Sequence, residues 1–317
     1  MTLSNQIFIC VLVLISGCSD STPRYKKPSK LVSIENDTLN TFLDSKINTD
    51  TTLAIPDSIF YPIKEQFYKH YGDIDSLLIR GEYRYLLEGD LILDRAGLID
   101  HYHERNEQNT QIDSFQKFEP FLLIRSYRSR YAKLPNPSRV TFAIDKNSFN
   151  KIPQYLIAKE AILNAADDWN NMCGVNFVYL GEFDSVLTDN FPPELFFTVR
   201  SYNLSDKAIA VSFNPLTREP RNRVIFLDSC FFTTFYSKQG IIRHELGHSM
   251  GFLHEHLLAP SGARCPEEGA TIYFPLGDYD PKSVMHYFCK TVGFGNKELA
   301  FTNSDTVGAN MVYPKLQ

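Results

Sequence analysis

The sequence predicts an α/β fold of the mixed, α+β kind, and three observations predict it. Short β-branched and aromatic runs recur between residues 139 and 227. Longer stretches among them carry the helical period. Of 317 residues, 43% are apolar and 13% aromatic, ample for a buried core, which excludes wholesale disorder. At roughly 150 residues per domain the length suits about two domains. With 37 acidic and 32 basic residues, a net charge of −5 and a pI near 5.9, the chain has no basic footprint for nucleic acid.

The chain opens on an address. Residues 7–15 (IFICVLVLI) are one apolar run, far short of the ~20 residues that span a bilayer as a helix, and they fit the core of an export signal. Residues 14–18 (LISGC) resemble a bacterial lipobox, although no Lys or Arg precedes the run. That resemblance implies a lipoprotein signal peptide over 1–17, lipidation of Cys18, and a chain anchored to a membrane in the periplasm or at the cell surface; ordinary signal cleavage, with Cys18 incidental, would leave it secreted. Export also places the later cysteines where disulfides persist. Residues 18–57, rich in Ser, Thr, Asp, Asn and Lys, read as a flexible stalk.

Residues 58–133 form an aromatic, charged N-terminal segment in which 83–93 (YRYLLEGDLIL) read as two extended pieces meeting at Glu88, Gly89 and Asp90. The breaker cluster at 134–137 (LPNP) marks the boundary to a domain over 134–317. There, 139–144 (RVTFAI) reads as a strand. Residues 152–170 place Ile157, Ala161, Ala165 and Trp169 at helical spacing. Residues 174–180, 194–199, 208–213 and 224–227 read as strands, and a helix begins near Ser237.

That last helix carries the chemistry. His244 and His248 stand at i and i+4, on one face and one turn apart, so both can ligate one Zn²⁺. Glu245 is rotated off that line, placed to act as general base toward a metal-activated water. Gly251 can adopt positive φ and stop the helix, so the returning chain delivers His254 as third ligand. Three protein ligands leave a position open, the pattern of a catalytic zinc. His256 competes with His254 but lacks the helix-then-glycine spacing. His70, His101 and His103 read as surface histidines.

The run HELGHSMGFLH, with residues 283–287 (SVMHY) as a Met-turn, resembles the metzincin zinc proteases. Two details are similar to the astacin branch: Glu255 directly follows the third histidine, and Tyr287 stands two residues after Met285. The resemblance implies a metzincin-like catalytic domain with a twisted mixed sheet, an active-site helix and a C-terminal helix, here near 301–313, preceded by a small N-terminal segment. It implies an apolar floor at Met285, a structural role for Glu255, and Tyr287 as a zinc ligand that swings to the reaction intermediate. Leu87-Glu88-Gly89-Asp90 is similar to the pro-segment motif whose aspartate ligates zinc, which makes the front segment a possible pro-region and the protein a possible zymogen. Residues 168–173 (DWNNMC) look like the end of the first astacin helix and its cysteine, but Pro314 stands where that cysteine's partner is usual. The Arg- and Asp-rich run after the third histidine is also missing, so the likeness is to a bacterial relative of the astacins. Cys230 resembles another astacin cysteine whose usual partner is also missing, and of the three pairings four cysteines allow, Cys173–Cys230 with Cys265–Cys289 is the one expected.

The expected function is a monomeric zinc endopeptidase acting on polypeptides, its substrate extended along residues 208–213. The rival reading is a catalytically silent, zinc-stabilised surface binding or adhesion module, which would have no use for Glu245.

Overall fold

The computed structural model of the chain describes residues 57–71, 75–87, 89–108, 122–127, 130–187, 191–205, 207–258, 273–286 and 297–315. The signal, Cys18, nearly all of the stalk, Cys265, Tyr287 and Cys289 lie outside the described residues.

Two compact units divide the chain, one over Asp20–Asp73 and one that holds Ile74–Gln317. Within the first, helix α1 (Asp57–Tyr71) opens on an acidic residue, favourable at the positive end of the helix dipole. It buries Phe60 and Ile63, spaced three apart on one face.

The second unit is mixed α/β, as expected. Its main sheet has eight strands: β1 (Ser76–Ile79), β2 (Glu82–Leu87), β3 (Leu91–Leu93), β6 (Val140–Ile144), β7 (Phe177–Tyr179), β8 (Phe197–Ser201), β9 (Ala210–Phe213) and β10 (Val224–Leu227). Their spatial order is β1-β2-β3-β9-β10-β8-β6-β7. β1, β2 and β3 form an antiparallel meander. β3 then joins β9 in parallel, through Leu91↔Ser212 and Ile92↔Phe213. Strands from both sides of the 134–137 breaker therefore share one sheet. β6, β8 and β10 bury every described position except Ser201, as central strands covered on both faces must.

Helix α2 (Arg95–Gln108) follows β3. A smaller sheet places β4 (Leu123–Tyr127) between β11 (Phe252–Leu253) and β12 (Tyr273–Pro275), with β5 (Arg130–Tyr131) also on β4. Helix α3 (Ile152–Met172) buries Ala161, Ala165 and Trp169 of the expected stripe, but Ile157 is 40% exposed and Tyr155, Ala158 and Ile162 complete the buried face instead; the helix packs on helix α4 (Lys238–Ser249). Trp169 is fully buried, stacks on Phe252 at 5.9 Å and donates its indole N–H to the Arg243 carbonyl at 2.9 Å. Helix α5 (Asn303–Val312) closes the unit. The Tyr313 hydroxyl accepts from Leu134 N–H and donates to the Met250 carbonyl, so one buried group ties residue 134, the end of α4 and the C-terminus together.

Two expectations need correction. Cys173 and Cys230 are separate buried thiols, not a disulfide. Cys173 caps the end of α3, its sulfur against the Trp169 carbonyl, while Cys230 sits in a 3₁₀ turn after β10, fixed by its N–H to Asp228. His101 is no surface histidine either: it is fully buried on α2.

Candidate metal centre

Helix α4 begins at Ser237, whose hydroxyl accepts from Gly240 N–H. It presents His244 and His248 on one face and ends at Met250. Gly251, at φ +101, turns the chain back. A Cβ there would lie 2.0 Å from the Ala132 carbonyl oxygen, so the position needs both the conformation and the small size of glycine. β11 follows, held on β4, and delivers His254.

Three imidazoles meet. The Nε2 atoms of His244 and His254 are 3.1 Å apart, and each is 3.2 Å from that of His248. Tetrahedral ligands at about 2.0–2.1 Å from one ion stand roughly 3.3 Å from one another, so these spacings suit a shared cation. The outer nitrogens support it. His244 Nδ1 lies 2.8 Å from the Val284 carbonyl, and His248 Nδ1 lies 2.9 Å from that of Phe252. Only an N–H satisfies such contacts, which leaves each Nε2 lone pair turned inward.

The fourth corner is Asp90. Its Oδ2 is 3.0 Å from His254 Nε2 and 3.3 Å from His244 Nε2, and its Oδ1 is 3.3 Å from His248 Nε2. Gly89, at φ +87, makes the bend between β2 and β3 that aims the carboxylate, and the Asp90 carbonyl accepts from Ser212 N–H at 2.8 Å. Asp90, His244, His248 and His254 thus form a group that can hold a metal ion. Burial opposes the Asp90 charge, but the neighbouring His254 and His248 outweigh it and hold its pKa well below the usual range. Burial pushes His244 down to about 4, so its ring is neutral and free to ligate at neutral pH.

Glu245 is 3% exposed, and its Oε2 has no hydrogen-bond partner among the described residues. Burial first, and then the Asp90 charge, raise its pKa well above the usual range. Its backbone carbonyl accepts from the Ser212 hydroxyl at 2.7 Å, which links α4 to β9.

Met285 lies under the helix. A Cβ on Gly247 would come within 2.4 Å of its sulfur, so the thioether fits directly against the backbone between Glu245 and His248. Glu255 is fully buried. Its Oε1 accepts from Asp280 N–H at 2.8 Å, and its own N–H donates to the Met285 carbonyl at 2.9 Å, which joins the third-ligand segment to the turn at Met285. Burial raises its pKa well above the usual range. His256 stacks on His254 at 4.8 Å and stands outside the four-residue group, and His286 contacts the Tyr279 hydroxyl at 2.7 Å.

One residue escaped the sequence reading. Asp305 accepts from the Ser283 hydroxyl at 2.6 Å, from Val284 N–H at 2.9 Å and from Thr302 N–H at 2.8 Å. It therefore pins the segment that carries Met285 and the Val284 carbonyl bound by His244. Its signal was the capping box Thr302-Asn303-Ser304-Asp305 at the start of α5. No protein-family model matches this sequence, and no curated protein matches it.

Proposed function

We propose that the chain is a zinc-dependent endopeptidase of the metzincin type, similar to the astacins, which Asp90 holds latent. One observation carries the reading: three inward imidazole nitrogens and a carboxylate converge beside Glu245, which keeps a buried oxygen unpartnered among the described residues. Three imidazoles and a carboxylate at tetrahedral spacing suit zinc. When bound, zinc supplies Lewis-acid polarisation of a carbonyl and lowers the pKa of a water.

Glu245 takes the water's proton and passes it to the leaving amine, as general base and then general acid. Its raised pKa suits a group that must hold that proton between the two transfers. His244 and His248 keep their lone pairs inward through the Val284 and Phe252 carbonyls, and Met285 supports the helix from below. Tyr287 assists at the substrate oxyanion, the role its position after Met285 implies. An extended polypeptide adds along β9, the edge that β3 now covers. The protein is exported and anchored through Cys18, and it acts as a monomer.

The test compares full-length protein, Glu245→Gln, Asp90→Ala and the double variant for metal content and peptide-library cleavage. One zinc per chain is expected in all four, with cleavage by Asp90→Ala lost in the double variant. Equal cleavage with and without Glu245 would refute the mechanism. Stoichiometric zinc with no cleavage by any variant would favour the silent surface module.

A further inference from the structure

A cleft of about 370 Å³ lies between the β1–β2 hairpin and the strands β8 and β10, away from the histidines. Its floor is apolar, with Ile79, Ile92, Val224 and Phe226. Its polar wall holds four arginines, Arg80, Arg84, Arg200 and Arg221, against two carboxylates, Glu82 and Asp94. A neighbouring cavity of about 380 Å³ shares Arg80, Arg200 and Phe226.

The acids of the cleft are largely engaged. Glu82 accepts from Arg84 at 2.8 Å, and Asp94 accepts from Asn222 at 2.9 Å and from Gly97 N–H at 2.8 Å. Arg200 is not satisfied by them. It is 8% exposed, its ion pair to Asp145 is long at 3.4 Å, and its Nε has no partner among the described residues. A buried guanidinium with an idle N–H calls for an acceptor. Arg80 adds to the case: it stands at φ +52 in the two-residue turn of the hairpin, a position that favours Asn or Gly.

We propose that this cleft binds a small oxyanion, a carboxylate or phosphate group on a compact body, with Arg200 as its buried anchor and Arg80, Arg84 and Arg221 around it. Guanidinium forks match such groups two bonds at a time. The ligand clasps the front hairpin to the sheet. β3 runs from Asp90 at one end to Leu93 and Asp94 in the cleft wall at the other, so on the latent-peptidase reading above the clasp also holds Asp90 in place.

The experiment uses the full chain in chloride buffer, titrated calorimetrically with inorganic phosphate and, separately, succinate. Hydrogen exchange is followed over residues 76–94. Saturable binding of at least one probe is expected, with slowed exchange in that segment. Arg200→Gln and Arg221→Gln should each weaken binding at least tenfold, whereas Arg218→Gln, outside the cleft, should leave it unchanged. No saturable heat from either probe up to 10 mM (about the weak end of small-anion affinities) would overturn the site and leave the arginines to water. Equal binding by the Arg200→Gln, Arg221→Gln and wild-type proteins would also overturn it, and binding without slowed exchange would overturn the clasp. None of these readouts depends on peptide cleavage, so the site and the peptidase reading fail separately.

Discussion

Replacing Gly251 by alanine should damage both the fold and the centre, by amounts the structure sets. The backbone stands at φ +101, where an L side chain costs about 1–2 kcal/mol. The new Cβ would meet the Ala132 carbonyl oxygen at 2.0 Å, against the roughly 3.3–3.6 Å at which such atoms meet comfortably. Backbone on one side or the other must give by about 1 Å, which brings the total loss to about 2–4 kcal/mol. The displaced turn lies between His248 and His254, so zinc affinity should fall by roughly 10–100-fold, as when the support of a ligand is lost. Gly81→Ala is the control. Gly81 stands at φ +80 with no described atom within 4 Å of a Cβ, so it should cost only about 1–2 kcal/mol and leave zinc affinity alone. Urea unfolding followed by the fluorescence of Trp169, the single tryptophan, measures stability, and competition with a chelating dye measures affinity. If Gly251→Ala lost no more than Gly81→Ala and bound zinc as wild type does, the account of this turn would be wrong.

Three further outcomes are expected. Asp90→Ala should let the uncut chain cleave peptide at least tenfold faster than wild type, and equal rates would remove the aspartate from any role in latency. Asp305→Ala removes three hydrogen bonds to a buried carboxylate, so it should cost about 3 kcal/mol and weaken zinc through the freed Val284 carbonyl; an unchanged unfolding midpoint would contradict that. Burial pushes the Cys173 thiol up to about 11, so the folded protein keeps its proton where the unfolded chain loses it. The stability from this group is complete below about pH 9 and declines as pH rises toward about 11; the decline should be shallower in Cys173→Ala, and identical pH profiles would refute it.

Much of this architecture was legible because its signals are local. The i, i+4 histidines, the glycine before His254 and the period of α3 each follow from helix geometry, and the bend at Gly89 and Asp90 was written in the sequence between two apolar runs. The less legible parts rest on distant pairings. That β3 joins β9 depends on contacts more than a hundred residues apart, which no periodicity encodes. β11 has only two residues, too few to show an alternation. Helix α2 carries a weak apolar stripe (RAGLIDHYHERNEQ), so nothing in its pattern announced it. The supports of His244 and His248 are backbone carbonyls, which any residue type offers. The Cys173–Cys230 expectation failed for a different reason: it rested on a likeness to a family in which each of these cysteines has another partner, and each thiol is instead buried on its own element.

If the chain is the latent peptidase proposed above, the parallel seam between β3 and β9 has a consequence for how it is switched on. A strand tethered in the same chain faces its own edge at an effective concentration in the millimolar range, whereas a substrate arrives in solution at far lower levels. Free substrate therefore loses that competition for as long as the tether is whole, however well it fits. Severing the chain turns a standing intramolecular rival into a dilutable peptide, and dilution makes the change one-way. Three of the eight strands would leave with it, so the released enzyme would keep a bare sheet edge as the cost of having been made in a safe form.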